Sequence, residues 1–312
     1  MRYQQIGTSG IEASRVAMGV MRMADKTREE ARSVVDAALE AGIDFFDTAD
    51  VYGDGMSSAA LGQALRDVSV DRSQIEVQTK FGIVHNEDAQ HGSHYDFSHD
   101  HLVDSIDQEL RRLQTDYVDF VLLHRFDTLV DVDELAATID ELAETGKVLR
   151  FGVSNVGPWT VEMLQAALHQ RLDVNQLQFG LKHAGMVQVQ VHENMLDDQA
   201  IDRDGGALVY SQLRQMTLQA WSPMQYGMFE GHFVDNPKFP ELNKKLAEIA
   251  EAHDVTKEGV ATAWILRHPA KIQVISGSMN PERIARVAAG AGVDLDRQEW
   301  YDLYTAAGNE LP

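Results

Sequence analysis

Cysteine is absent from this chain of 312 residues. The absence excludes a disulfide framework, a thiolate zinc site and a cysteine nucleophile, and it fits a reducing cytoplasm. The N-terminus lacks the long apolar core of a signal peptide. No apolar run approaches the roughly 20 residues that a membrane-spanning helix needs. We therefore expect a cytoplasmic protein that does not act on a membrane.

Positive charge is also in short supply. Lys and Arg number 27 against 49 Asp and Glu, which gives a formal net charge of −22. An acidic surface of this kind repels phosphates and argues against nucleic acid as the main partner. A small anionic cofactor is still allowed, because it needs only a local basic pocket. We expect a monomer or a weak homo-oligomer that acts on a small molecule.

The glycine-rich phosphate-binding motifs are missing as well. A doubly wound dinucleotide-binding sheet should carry Gly-x-Gly-x-x-Gly after its first strand. Here the first predicted strand, Val16–Val20, continues into Met21–Met23 without that motif. No Walker-type loop is present, and no linker rich in Pro, Gly or Ser divides the chain. The doubly wound sheet is therefore the less favoured of two fold hypotheses.

A short apolar strand followed by an amphipathic helix is the unit that repeats along the chain. An N-terminal hairpin precedes it, and the helices range from a clear one at Thr27–Ala41 to a weaker one near Asp197–Asp204. The strands are predicted at Val16–Val20, from Ile43, and at Ile75–Thr79, Tyr117–Leu123, Val148–Val153, Val174–Gln178, Met216–Ala220 and Ile272–Ile275. Eight strands alternating with helices over about 250 residues predict a (β/α)8 barrel, with residues 1–312 as one domain.

Polar side chains stand at the C-terminal ends of these strands, where a barrel of this kind carries its chemistry. Strand two ends at Asp47, with Tyr52 just beyond it, strand three ends at Lys80 and strand four at His124. Each residue taken alone also has a purely structural interpretation, such as a turn cap or a surface lysine. Because the strand ends meet at one face of the barrel, we expect the four side chains to converge.

The four residues suit proton-coupled hydride transfer. A cationic Lys80 would stabilise the Tyr52 phenolate and pull the pKa of Tyr52 below its ordinary value of about 10. Asp47 would keep Lys80 charged. His124 would polarise a carbonyl oxygen, and Tyr52 would protonate the alkoxide as hydride arrives. No side chain carries hydride, so a cofactor is required.

Further strand ends offer groups that suit such a cofactor. Ser154 and Asn155 follow strand five and Gln176 lies in strand six, and all three can hydrogen-bond a carboxamide. Trp221, at the end of strand seven, presents a flat face on which a nicotinamide could stack. The alternative for Ser154 and Asn155 is that they cap the helix beginning near Pro158.

Seven segments in this order resemble the aldo-keto reductases, and most of all the bacterial members of the YdhF type. They are Phe46–Gly53, Gln78–Gly82, Leu122–Asp127, Gly152–Asn155, Val174–Gln176, Ala220–Pro223 and Gly277–Ile284. The resemblance covers nearly the whole chain. It implies a (β/α)8 barrel whose N-terminal hairpin closes the bottom, and NADPH-dependent reduction of aldehydes or ketones. It places Asp47, Tyr52, Lys80 and His124 at the catalytic tetrad of the family, with Tyr52 as general acid.

The resemblance also implies the cofactor contacts. Ser154, Asn155 and Gln176 fall on carboxamide-binding positions, Trp221 on the stacking position, Ser222 and Met224 beside the pyrophosphate, and Ser278 and Arg283 at the adenosine 2′-phosphate. The family often has Lys where Gly277 stands and an acid–Asn pair at Arg286–Val287. Arg286 either supplies the missing charge or is a solvated helix residue. NADPH is the expected cofactor, because a guanidinium pairs well with a phosphate.

Two other activities fit some of the same residues. A cofactor-sensing regulatory subunit would keep the barrel and the tetrad but show little turnover. A lyase would use Lys80 as a Schiff base, which needs a neutral lysine, and the adjacent Asp47 opposes that.

Three further features have no catalytic role in this interpretation. His85, His91, His94, His99 and His101 are irregularly spaced, and we predict a polar loop over the barrel mouth there and no metal site. Tyr226, Met228, Phe229 and Phe233, in the segment Pro223–Pro240, either line the substrate pocket or pack that segment against the barrel. Asp50 is interpreted as a structural loop residue.

Overall fold

The computed structural model describes residues 1–85 and 92–312. At the N-terminus, β1 (Tyr3–Gln5) and β2 (Glu12–Ser14) pair as an antiparallel hairpin. Its turn is bonded to residues near the starts of two barrel strands. The Gly7 amide donates to Thr217 Oγ1 over 2.7 Å, and the Thr8 amide donates to Asp173 Oδ1 over 2.8 Å. The hairpin therefore closes the bottom of the barrel, as predicted.

Eight parallel strands form a closed barrel, and their order around it is their order in the chain. They are β3 (Val16–Gly19), β4 (Phe45–Asp47), β5 (Glu76–Phe81), β6 (Val118–Leu123), β7 (Val148–Ser154), β8 (Leu172–Gln178), β9 (Thr217–Trp221) and β10 (Gln273–Ser276). The predicted (β/α)8 fold is confirmed, and the doubly wound alternative is wrong because the sheet has no open edge.

Helices pack around the barrel. They are α1 (Arg28–Glu40), α2 (Met56–Val68), α3 (His99–Leu113), α4 (Val132–Glu144), α5 (Pro158–Ala167), α6 (Gly185–Val191), α7 (Ala207–Arg214), α8 (Pro240–Ala252), α9 (Lys257–Leu266), α10 (Pro281–Ala289) and α11 (Arg297–Ala306). Helix α1 begins with a capping box formed by Thr27 and Glu30, and Gly42 follows its end at φ +78°. That left-handed backbone is one that glycine adopts without strain.

The prediction of a helix near Asp197–Asp204 is wrong. Only one turn of 3-10 helix, Asp198–Ala200, lies there, and α6 and α7 flank it. The reason is local, because the Asp202 side chain accepts hydrogen bonds from the backbone amides of Asp204 and Gly205, and this turn replaces the bonds of a helix that continued through Asp204.

The buried apolar side chains form two layers. A small cluster fills the lower barrel interior and includes Ile6, Phe45 and Phe120. A much larger cluster lies between the barrel and the helices. Packing on both faces of the strands holds the barrel rigid, so that their C-terminal ends form a fixed frame for functional side chains. Within the described ranges, no helix is both long and apolar enough to cross a membrane.

Candidate active site

A cavity of about 1060 Å³ opens at the C-terminal ends of the barrel strands. Asp47, Tyr52 and His124 line it, and Lys80 lies directly behind them with no solvent exposure. All nine residues predicted to contact a cofactor line the same cavity, namely Ser154, Asn155, Gln176, Trp221, Ser222, Met224, Ser278, Arg283 and Arg286. The structure thus brings the predicted site residues together.

The Lys80 ammonium group is the centre of the polar cluster. It donates to the Asp47 carboxylate at 2.8–2.9 Å, to the Thr48 carbonyl at 2.7 Å and to the Tyr52 hydroxyl at 3.3 Å. Three donors on an ammonium group thus find three acceptors. Burial alone would lower the pKa of Lys80, but Asp47 and Tyr52 together raise it above its ordinary value. Lys80 is therefore charged, which argues against a Schiff-base role.

The pKa of Tyr52 shifts in the direction opposite to the one expected from sequence. Burial raises it, and the charge of Lys80 offsets only part of that rise. Desolvation is the larger effect because the Tyr52 hydroxyl is surrounded mainly by protein, where a phenolate loses most of its hydration. Tyr52 is therefore a neutral phenol at neutral pH. Since Lys80 donates to its oxygen, the phenol hydrogen remains available for donation.

His124 lies beside Tyr52, with the two rings edge to face and their centroids 5.7 Å apart. Burial lowers the pKa of His124 well below its ordinary value, and the nearby charges of Lys80 and Arg125 add to that shift. The imidazole is therefore neutral. A neutral imidazole carries one N–H group, so His124 can donate a hydrogen bond although it has no positive charge.

Two glutamines hold Asp47 in place, Gln176, which was predicted at the cofactor site, and Gln78, which the sequence analysis did not single out. Asp47 Oδ1 accepts from Gln78 Nε2 at 2.6 Å and from Gln176 Nε2 at 3.0 Å. Gln219 bonds both of these glutamines and also Gln273, at 2.8–3.2 Å. All four glutamine side chains are buried. The signal in the sequence was a polar residue in the middle of an apolar strand. Inside a barrel, the side chain of such a residue needs a hydrogen-bond partner.

A second hydrogen-bonded row connects the ends of β7, β8 and β9. Trp221 Nε1 donates to Asn155 Oδ1 at 3.1 Å, and Asn155 Nδ2 donates to Ser154 Oγ at 2.7 Å. Ser154 Oγ in turn donates to the Gln176 carbonyl at 3.0 Å. The alternative role as helix cap is wrong, because the N-cap of α5 is Gly157 and no side chain caps this helix. These side chains are oriented toward the cavity.

The chemistry of this row fits a carboxamide. Both hydrogens of Gln176 Nε2 are already donated, to Asp47 and Gln219, so its Oε1 is left to accept from an incoming amide. Asn155 and Ser222 adopt φ values of +58° and +49°. Non-glycine residues seldom take this left-handed backbone, and such strain concentrates at ligand sites.

The other end of the cavity is formed by the start of α10. Asn280 caps this helix by accepting from the Arg283 amide at 2.9 Å, and Ser278 Oγ accepts from the Asn280 amide at 3.2 Å. Within residues 1–85 and 92–312, the Arg283 guanidinium makes no ion pair. Arg286 approaches Glu258 at 3.7 Å and Glu282 at 3.5 Å. Arg283 is thus the arginine of this helix that is free to meet an anion.

The aromatic residues after β9 divide between the two roles considered for them. Phe229 lines the cavity and stacks on Trp221, with ring centroids 6.4 Å apart. Phe233 is fully buried and packs the segment against the barrel. Tyr226 meets Phe239 edge to face, and Met228 is largely exposed.

Asp50 is more than an ordinary loop residue. It is 9% exposed, and its Oδ1 has no hydrogen-bond partner in the part of the chain that the structure describes. Burial and the nearby Glu109 raise its pKa to about 7. The sequence did not reveal this, because Glu109 is brought in by α3.

The histidines near the barrel mouth have separate neighbours. His85 lies 3.6 Å from Asp54, and His99 contacts both Asp100 and Glu141. His91 lies outside the described residues. Among residues 1–85 and 92–312, no group of three or more potential ligands is arranged to hold a metal ion.

Comparison with known proteins agrees with this geometry. The sequence model of the Aldo/keto reductase family matches residues 15–306. The chain is 35% identical over 310 residues to the 6-dehydroglucose reductase of Agrobacterium fabrum, covering 96% of this chain and 97% of that protein. It is 32% identical over 314 residues to the oxidoreductase YdhF of Escherichia coli, covering 98% of each.

Solved structures show the same fold. An aldo-keto reductase from Klebsiella pneumoniae in complex with NADPH superposes with a TM-score of 0.76 at 21% identity, covering 100% of this chain and 98% of that one. From the family match and the two relatives, we conclude that this chain belongs to the aldo/keto reductase family and is an NAD(P)H-dependent oxidoreductase.

Proposed function

We propose that this protein reduces aldehydes or ketones to alcohols with NADPH, and that Tyr52 is the general acid. The observation that carries the proposal is the position of Lys80 Nζ. It is bonded to Asp47 on one side and to the Tyr52 hydroxyl on the other, at the base of a cavity that His124 also lines.

Each residue of the tetrad has one task in this proposal. His124, as a neutral imidazole, donates a hydrogen bond to the substrate carbonyl and polarises it. Tyr52 donates its proton to the same oxygen as negative charge develops there. Lys80 stabilises the phenolate that Tyr52 becomes after it gives up this proton, and Asp47 keeps Lys80 charged and aligned. When bound, NADPH supplies the hydride.

The remaining site residues bind and orient the cofactor. Ser154, Asn155 and Gln176 would hold the carboxamide, and Trp221 would stack on the nicotinamide ring. Ser222 and Met224 would line the pyrophosphate. Ser278 and Arg283 would hold the 2′-phosphate, with Arg286 available to add charge. The donor set described above supports these assignments, because it combines amide and hydroxyl groups at one end with a free guanidinium at the other.

The test is Tyr52→Phe, assayed by NADPH absorbance against a panel of aldehydes, ketones and oxidised sugars. Sugars are included because a relative is named 6-dehydroglucose reductase. Loss of the hydroxyl removes the proton donor and should reduce kcat by at least about 100-fold, the usual contribution of a general acid. NADPH affinity, measured by fluorescence titration, should remain near that of the wild type.

Tyr117→Phe is the matched control, since Tyr117 packs on Arg72 rather than in the cavity. Full activity of Tyr52→Phe would disprove the assignment of the general acid. A wild-type protein that binds NADPH but shows no multiple turnover on any carbonyl compound would favour the cofactor-sensing subunit. Borohydride trapping of an adduct on Lys80 would favour the lyase.

A further inference from the structure

Arg125 is a cavity residue that the proposed mechanism does not use. It follows His124 at the end of β6 and lines the cavity together with Tyr52, Ile83 and Phe229. Its charge reaches both reacting side chains. After burial and Lys80, it is among the influences that lower the pKa of His124, and it opposes the rise in the pKa of Tyr52. Arg125 is therefore close to the position that a substrate carbonyl would occupy.

No carboxylate of the described residues pairs with this guanidinium. Within residues 1–85 and 92–312, the Arg125 side chain forms no hydrogen bond and no ion pair. The nearest acid in sequence, Asp127, is 7% exposed and accepts instead from the amides of Leu129 at 2.9 Å and Phe97 at 3.3 Å. In a chain with 49 acidic and 27 basic residues, an arginine that faces a cavity and has no ionic partner among the described residues is suited to bind an anion.

Other groups around Arg125 strengthen the positive potential at this end of the cavity. The charge of Lys80 also acts on His124. Among the described carboxylates at this end, Asp47 is already bonded to Lys80 and to two glutamines, and Asp54 lies 3.6 Å from His85. Ile83 and Phe229 supply apolar walls, which weaken the screening of a charge by water and so strengthen its attraction for an opposite charge.

We propose that Arg125 is a specificity-determining residue that binds an anionic substituent, such as a carboxylate, on the carbonyl substrate. This inference rests on the proposed reduction of a carbonyl substrate, and it adds that the substrate carries a negative charge. A guanidinium matches the planar, two-oxygen geometry of a carboxylate. Against a surface carrying a net charge of −22, a local cation is also what an anionic substrate would need in order to enter.

The experiment compares two aldehydes of nearly the same shape, 4-formylbenzoate and the neutral 4-formylbenzamide. Binding of each is measured by calorimetry in the presence of NADP+, so that no reduction occurs. The wild type should bind the benzoate about tenfold more tightly, the scale of one hydrogen bond to a charged group. In Arg125→Met the ratio of the two dissociation constants should fall to near one.

Two further variants make the result specific. Arg125→Lys keeps the charge and should retain part of the preference, which separates loss of charge from loss of fold. Arg111→Met removes an exposed arginine of α3, away from the cavity, and should keep the wild-type ratio. Equal affinities in the wild type, or an unchanged ratio in Arg125→Met, would overturn the inference.

Turnover with NADPH, measured on the same two aldehydes, separates this inference from the proposed function. If the affinity ratio behaves as expected but neither aldehyde is reduced, the anion site stands and the proposed reaction fails. If both aldehydes are reduced with equal affinity and equal kcat/KM, the reaction stands and the role of Arg125 is refuted.

Discussion

At the scale of single residues, Arg283 decides which cofactor we expect. Its guanidinium lines the cavity and makes no ion pair within the described residues, whereas Arg286 approaches two glutamates. A free guanidinium at this position favours a ligand that brings a phosphate to it.

Arg283→Ala should therefore weaken NADPH binding by about 10- to 100-fold, the range for losing a charge-assisted hydrogen bond, and should change NADH binding little. The dissociation constants of both cofactors, measured by fluorescence titration, provide the test. Arg297→Ala, at the exposed start of α11, is the control. An equal loss for NADPH and NADH would remove the basis for the preference.

At the scale of the element, α10 presents Arg283 to the cavity, and its first turn depends on Asn280. The Asn280 side chain accepts from the Arg283 amide, so the cap and the anion-binding residue share one turn of helix. Loss of the cap frays that turn, and fraying moves Arg283.

Asn280→Ala should lower the free energy of unfolding by about 1 kcal/mol, and it should also weaken NADPH binding. Asp296→Ala makes a matched control, because Asp296 caps α11 through the same kind of bond and does not line the cavity. The two variants should lose similar stability in denaturant unfolding, and only Asn280→Ala should bind NADPH less tightly. Unchanged NADPH affinity in Asn280→Ala would show that the cap does not serve the site.

At the scale of the whole molecule, stability depends on the buried carboxyl group of Asp50, which lies where the loop after β4 meets α2 and α3. Glu109 of α3 accepts from Ser58 and Thr79 there, each at 2.7 Å, and raises the pKa of Asp50 further than burial alone. The native pKa of Asp50 is about 7, against 3.8 for the ordinary group. Between these values the native state holds a proton that the unfolded chain has lost, so stability falls as pH rises.

Asp50→Asn removes this titration and keeps the shape of the side chain. Its free energy of unfolding relative to the wild type should rise by a few kcal/mol between about pH 4 and pH 8, at about 1.4 kcal/mol for each unit of pKa shift. Urea unfolding across that range measures the effect. Asp54→Asn, in the same loop but with a largely exposed carboxylate, is the control. Parallel pH profiles for wild type and Asp50→Asn would contradict the prediction.

Much of this molecule could be predicted from its sequence, because the relevant signals are local. Apolar strands, amphipathic helices and caps such as Thr27 and Asn280 depend on neighbours within a few residues. The barrel followed from the number and alternation of these elements. Its topology then required the polar residues at the strand ends to share one face, so Asp47, Lys80 and His124 could be grouped before their geometry was known.

Other properties depend on side chains that are far apart in the chain and meet only after folding. The glutamine network joins β5, β8, β9 and β10, and no local pattern pairs Gln78 with Gln219. The pKa of Tyr52 was predicted to fall and instead rises, because the charge of Lys80 could be inferred from sequence but the extent of burial could not. Only the folded chain likewise shows that Arg125 has no ionic partner among the described residues, because Asp127 and Asp47 are bonded to other groups. How far a side chain is removed from water, and which charged groups it pairs with, are set by the packing of the barrel. Those two quantities determine the pKa of Tyr52 and the pairing of Arg125.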